Sequence, residues 1–140
     1  MGTVRCQVNP TEDSELVNQA LLNLFPDSSC IRRELQMGVE LNIALNEYQH
    51  IENLRLMIHD MRIIDAVRLR LQRNWNGMNT IIHLDKQVAY HHKIRLIDDS
   101  EEEPPLGTIE IQLNFDDENG FEKFLRWFTP PTQNGKVMMN

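Results

Sequence analysis

Residues 38–73 read GVELNIALNEYQHIENLRLMIHDMRIIDAVRLRLQR, and the change of period inside this stretch decides the fold. Val39, Leu41, Ile43 and Leu45 alternate with polar or small neighbours, the period of a strand buried on one face. From His50 to Arg73 the apolar residues recur at helical spacing instead. Plotted on one continuous helix they would spread around most of its circumference, which argues against a single straight helix. A break near Asp60 gives two amphipathic pieces, one lined by Ile51, Leu54 and Ile58, the other by Ile63, Ile64, Val67 and Leu71. Asn76-Gly77 closes the second piece, since both residues tolerate a left-handed backbone.

Upstream, Thr3 to Asn9 alternates, with Val4, Cys6 and Val8 on one face and Arg5 and Gln7 on the other. Pro10 ends this strand, and Thr11 or Asp13 is placed to N-cap a helix carrying Leu16, Val17, Ala20, Leu21 and Leu24. Phe25-Pro26-Asp27 stops that helix, because proline cannot continue the hydrogen-bond ladder. Residues 30–36 read weakly as a strand and form a hairpin with the strand after Gly38. Downstream, Thr80 to Leu84 is a short strand, Asp85 to Tyr90 a turn or helical turn, and Lys93 to Ile97 a further strand. Ile109, Ile111 and Leu113 alternate in a last strand. Phe121, Phe124, Leu125 and Phe128 stripe a final helix that Pro130-Pro131 terminates. Residues 132–140 read as frayed. Strands and helices do not alternate one for one. The fold class is therefore α+β, a two-layer sandwich with an antiparallel sheet and helices on one face. The expected organisation is one domain over residues 1–135 with a flexible tail over 136–140.

The 140 residues, 41% hydrophobic and 25% charged, are long enough to bury a core without a disulfide or metal staple. Cys6 and Cys30 stand outside any metal or redox spacing and read as small buried apolar residues. No stretch has the length and apolarity to cross a bilayer, and the N-terminus lacks the pattern of a secretory signal. A cytoplasmic location without membrane contact is the expectation.

Charge is segregated within the net −7. Between His50 and Ile97, eight lysines and arginines face four acids, while both flanks are acidic. A basic centre is a candidate polyanion footprint, because local rather than total charge meets phosphate. The candidates are Arg62, Arg68, Arg70 and Arg73 with Lys86, Lys93 and Arg95. A bland role competes with this one: Asp65, three residues from both Arg62 and Arg68, can pair with either on a helix surface. Aromatic platforms for single-stranded bases are scarce, only Trp75 and Tyr90, which favours recognition of shape and backbone. The acidic run 98–103 reads as a solvated loop.

Catalytic signals are poor. The six glycines are scattered, so no phosphate-binding loop or dinucleotide fingerprint is present, and no nucleophile elbow is found. An enzyme would need His83, Asp85 and His91 or His92 to converge in a pocket with a perturbed pKa. A metal site on the same residues lacks any sharpening motif. The expectation is a non-enzymatic chain with no cofactor and no metal.

Five segments occur together and in order: Pro10-Thr11-Glu12-Asp13, Asn23-Leu24-Phe25-Pro26-Asp27, Arg62-Ile63-Ile64-Asp65-Ala66-Val67-Arg68, Leu84-Asp85-Lys86-Gln87-Val88-Ala89 and Glu103-Pro104-Pro105-Leu106-Gly107. As a set covering roughly residues 3–135, they resemble a family of small archaeal proteins of unknown function grouped with predicted RNA-binding proteins. The resemblance implies a two-layer fold similar to that of the ribosomal protein that binds 5S rRNA. It also implies that the polar positions Arg62, Asp65, Arg68, Lys86 and Gln87 are the ones to watch. Asp85 and His91-His92 depart from the family's pattern.

Two functions follow as expectations. One is a non-catalytic domain contacting structured RNA through Arg62, Arg68, Arg70, Lys86, Gln87, Lys93 and Arg95, which requires the cations to lie on one exposed face. The other is a protein-interaction or adaptor domain, monomeric or a homodimer through an uncovered sheet face or edge, with the acidic ends steering a basic partner.

Overall fold

The strand that opens the chain takes the centre of the sheet, because its apolar face is complete from Val4 to Val8. In the computed structural model, which describes residues 1–98 and 104–138, β1 (Gly2–Val8) is flanked on both sides. The sheet is antiparallel throughout, in the order β2 (Ile31–Leu35), β3 (Gly38–Leu45), β1, β5 (Thr108–Asn114), β4 (Asn79–Asp85). Register follows from the alternation, since a slip by one residue would turn every apolar side chain to the wrong face. Val4 stands between Ile43 and Ile111, and Cys6 between Leu41 and Ile109, all buried.

The helices α1 (Ser14–Leu24), α2 (Tyr48–Asp60), α3 (Ile64–Asn74) and α5 (Glu118–Phe128) cover this apolar face and share one core with it, while α4 (Lys86–Ala89) is a single turn after β4. The architecture is α+β. Asp13 is the N-cap of α1, its carboxylate accepting from the Glu15 N–H. Leu16 falls off the buried stripe and is exposed. The expected break is real: α2 ends at Asp60, Arg62 takes a left-handed φ of 58°, and α3 starts two residues later. The outer face of the sheet carries polar side chains such as Arg5, ion-paired with Glu110 across the β1–β5 ladder. No helix among the described residues is long and apolar enough to cross a membrane.

Two local expectations are corrected. Residues 93–97 do not form a strand; they touch β4 through a single bridge, Leu84 to Leu96. Ile94 and Ile97 are both buried, and two residues three apart cannot face the same side of a strand. Residues 132–137 are not frayed. Thr132–Gln133 (β6) and Lys136–Val137 (β7) pair around Asn134-Gly135, both at positive φ, the backbone a two-residue hairpin turn demands. The acidic run 98–103, apart from Asp98, and residues 139–140 of the tail lie outside the described residues.

Candidate nucleic-acid interface

Lys86 opens α4, whose N-cap Asp85 accepts from the Gln87 N–H at 2.9 Å. That turn sends the Lys86 side chain inward, where it is 1% exposed. Its ammonium donates to the Gln7 carbonyl and to the Glu12 carboxylate, each at 2.7 Å. Glu12 is fully engaged: Asn9 N–H donates to the same oxygen at 3.0 Å and the Tyr90 hydroxyl to the other at 3.2 Å. Burial, reinforced by the Glu12 charge, pushes the Tyr90 phenol up to about 12. Burial also pushes the neighbouring Cys6 thiol up to about 12, with Lys86 pulling the other way, and raises Cys30. Neither cysteine supplies a thiolate at neutral pH. Cys6 is buried as expected; Cys30 is half-buried.

The arginines of α3 are also turned to internal use. Arg70 is buried and donates to the Ile97 carbonyl at 2.6 Å, with Asp98 at 3.6 Å. Arg68 donates to the carbonyls of Thr129 at 2.9 Å and Pro130 at 2.6 Å, and pairs with Asp65 at 3.2 Å. Two residues apart on a helix, these side chains leave on nearly opposite sides. Arg55 and His59 of α2 complete the set, reaching the carbonyls of Trp127 at 2.8 Å and Phe128 at 2.9 Å. Four successive carbonyls at the end of α5 thus each have a side-chain partner. Trp127, Phe128 and the C-cap Thr129 are among the groups a helix C-terminus leaves without a ladder bond and with partial negative charge, and Pro130 follows them directly.

Arg62 is exposed in the break between α2 and α3, beside Gly135 of the β6–β7 hairpin, and shares no helical face with Asp65. Thr132 takes that place, its hydroxyl donating to Asp65 at 2.6 Å. The six expected cations therefore do not form one exposed face, since Lys86 and Arg70 are buried and Arg68 is held at the end of α5.

Arg62 and Arg73 are exposed singly, and the other surface candidates fall in one short stretch. Gln87, His91, His92, Lys93 and Arg95 are all exposed. His92 adopts a left-handed φ of 58°, which turns the chain after α4 back toward the edge of β4. Arg95 pairs with Asp85 through two nitrogens, at 3.1 and 3.0 Å, while its carbonyl accepts from the Asp85 N–H. Asp85 thus caps α4 and fixes Arg95.

The aromatic candidates are committed elsewhere: Trp75 stacks on Phe121 with centroids 4.2 Å apart, and Tyr90 holds Glu12. A polar cleft of about 550 Å³ opens between Arg5, Asn9, Glu40 and the 104–108 segment, and none of His83, Asp85, His91 or His92 lines it. His83 faces Glu110 at 3.5 Å. Among the described residues no three His, Cys, Asp or Glu side chains gather as metal ligands. Sequence reading gave no role to Glu12, Arg55 or His59, because the partner that fixes each role is at least 69 residues away.

Comparison with known proteins gives the fold and the lineage. The chain is 24% identical to the UPF0201 protein of Methanococcus jannaschii, with a TM-score of 0.82 over 99% of this chain and 98% of that one. A protein of Sulfolobus solfataricus superposes with a TM-score of 0.63 at 13% identity, over 91% of this chain and 96% of the other. Among curated relatives, the UPF0201 protein of Pyrococcus horikoshii is 30% identical over 132 residues, 94% of this chain and 91% of the relative. That of Sulfolobus acidocaldarius is 34% identical over 133 residues, 94% and 88%. Residues 3–115 match a family model whose description is RNA binding, and on that match together with these archaeal relatives the chain belongs to the UPF0201 family.

Proposed function

We propose that the chain is a non-catalytic domain that touches the phosphate backbone of structured RNA through the stretch from Gln87 to Arg95. The observation that carries this reading is the exposure of Gln87, His91, His92, Lys93 and Arg95 within nine residues of a chain whose family model is described as RNA binding. Lys93 and Arg95 supply charge for phosphate, and the Gln87 amide is a donor and acceptor suited to a 2′-hydroxyl or phosphate oxygen. The internal engagement of Trp75 and Tyr90 disfavours stacking on single-stranded bases, so paired RNA is the better ligand. Two cations make a weak, salt-sensitive contact. The slope of log affinity against log salt should be about −2, whereas six phosphate contacts would give about −5.

A salt titration of binding to duplex, hairpin and single-stranded RNAs, read by fluorescence anisotropy, tests this. Preference for paired RNA, the shallow slope and a loss of affinity in a folded Gln87→Glu/Lys93→Glu variant are the expected results. Absence of binding at low salt, or a variant that binds as the parent does, overturns it. A second reading, a protein-interaction domain, is favoured by one observation: the outer edge of β2 has no partner strand among the described residues.

A further inference from the structure

The two edges of the sheet are treated differently. The β4 edge is covered: the Asp85 N–H donates to the Arg95 carbonyl and the Ile97 N–H to the His83 carbonyl, both at 2.9 Å. The β2 edge carries no such cover among the described residues, and its five residues Ile31–Leu35 contain no proline and no buried side chain. Natural sheets blunt such edges by short length, charge, proline or cover; β2 has only its five residues and the charges of Arg32, Arg33 and Glu34, which are of both signs and so admit a second strand in a register that pairs them. The hairpin geometry says which groups are offered. A two-residue turn, Gln36-Met37, makes Leu35 and Gly38 a hydrogen-bonded pair, and the same phase binds Arg33 to Glu40 and Ile31 to Asn42. The N–H and C=O groups of Arg32 and Glu34 therefore point away from β3.

We propose that β2 pairs antiparallel with β2 of a second copy of this chain, about a two-fold axis at Arg33. In that register Arg32 of each copy exchanges backbone hydrogen bonds with Glu34 of the other, four bonds in all. Their side chains meet as two opposite-charge pairs. Within one chain Arg32 and Glu34 already lie 3.0 Å apart on the helix-side face, where Arg32 also reaches the Ser14 hydroxyl at 3.1 Å. On the other face Ile31, 63% exposed, meets Leu35 of the second copy. Arg33 meets its own equivalent, with Glu40 directly across the ladder on each side. Charge favours this register: an axis at Arg32, Arg33 or Glu34 sets one like-charge pair on itself, but only the axis at Arg33 adds two opposite-charge pairs beside it.

The product is a continuous ten-stranded sheet whose two 87–95 stretches lie at its far ends, nine strand spacings or about 40 Å apart. A pairing of five residues buries less than the ~1,200 Å² of a standard interface, so the dimer is weak and dissociates on dilution.

Sedimentation equilibrium of the full chain over a wide concentration range is the test. The mass should rise from the 16.5 kDa of one chain toward twice that value. Glu34→Arg alone and Arg32→Glu alone should each weaken self-association by about tenfold, because each turns both opposite-charge pairs across the two-fold axis into like-charge pairs. An equimolar mixture of the two variants should associate again, and so should the double swap Arg32→Glu/Glu34→Arg, which restores opposite charges only in this register. Circular dichroism and urea midpoints confirm that each variant is folded. A chain that stays monomeric at every concentration, as it would if the edge serves a different protein, overturns the proposal. So does a dimer that neither single variant weakens.

Discussion

Arg68, Arg70 and Lys86 come from the same basic third of the chain as Gln87, Lys93 and Arg95, yet the first group faces inward and the second faces solvent. The difference tracks unsatisfied carbonyls. Gln7, Thr129 and Pro130 lie where a strand or helix is ending and Ile97 lies just past the bridge to β4, and their oxygens accept from Lys86, Arg68 and Arg70. A buried carbonyl without a partner costs about 1–3 kcal/mol, so a cation long enough to reach one is drawn in unless its own desolvation is worse. Lys86 overcomes that desolvation with a carboxylate, Glu12, 7% exposed. Lys93 is exposed and stays in water. A basic count in the sequence adds these two classes together; the fold separates them.

The sharpest way to break the comparison is at Lys86. Lys86→Ala leaves Glu12 buried and charged without its cation, and a cost of about 3–5 kcal/mol in unfolding free energy is expected. That is a large part of the roughly 5–15 kcal/mol typical of a domain, and urea denaturation reads it directly. Adding Glu12→Gln should recover part of the loss, since the amide oxygen still accepts from Asn9 N–H and no buried charge is left. Arg68→Ala comes next, at about 2–3 kcal/mol for charge-assisted bonds to two carbonyls. Arg68→Lys should rescue little, because an ammonium does not reproduce the planar fork that spans Thr129 and Pro130. Hydrogen exchange at the end of α5 should quicken in both Arg68 variants.

The pH dependence separates the interior further. Cys6 and Tyr90 are both raised to about 12 in the folded chain. The unfolded chain releases these protons first, from the ordinary values of 9.0 and 10.0, so it binds fewer protons than the folded one in that interval and stability falls as pH rises. The urea midpoint should decline between about pH 9 and 12 more steeply in the parent than in Cys6→Ala. Equal slopes would remove Cys6 from the buried cluster around Lys86.

Periodicity carried the fold because it reports which face is buried. The alternation at Val39 to Leu45, the break near Asp60 and the Phe121 to Phe128 stripe all survive in three dimensions. The β6–β7 hairpin was also legible, as Asn134-Gly135 is a strong two-residue turn signal, but the prolines before it suggested only an ending. The site was much less legible. Nothing near Lys86 in the sequence says that it meets Glu12, 74 residues earlier, and charge patterning reports sign without depth. The same limit hid the carbonyl-binding role of Arg55 and His59, which emerges only when α2 packs beside the end of α5.

Lys93 tests the solvent side of the comparison, with the smallest effect on the fold. An exposed lysine away from caps and cores should change stability by no more than about 0.5 kcal/mol on Lys93→Ala. Its loss should show instead in the salt dependence of RNA binding, as a slope shallower by about one unit. Arg68→Ala should do the reverse, lowering the urea midpoint while the slope for the folded protein holds. The two variants together therefore form a crossed pair, each expected to move one readout and not the other. If Lys93→Ala leaves the slope unchanged while Arg68→Ala flattens it, the contact lies at the end of α5, and the division between inward and outward cations is not the one that matters for binding.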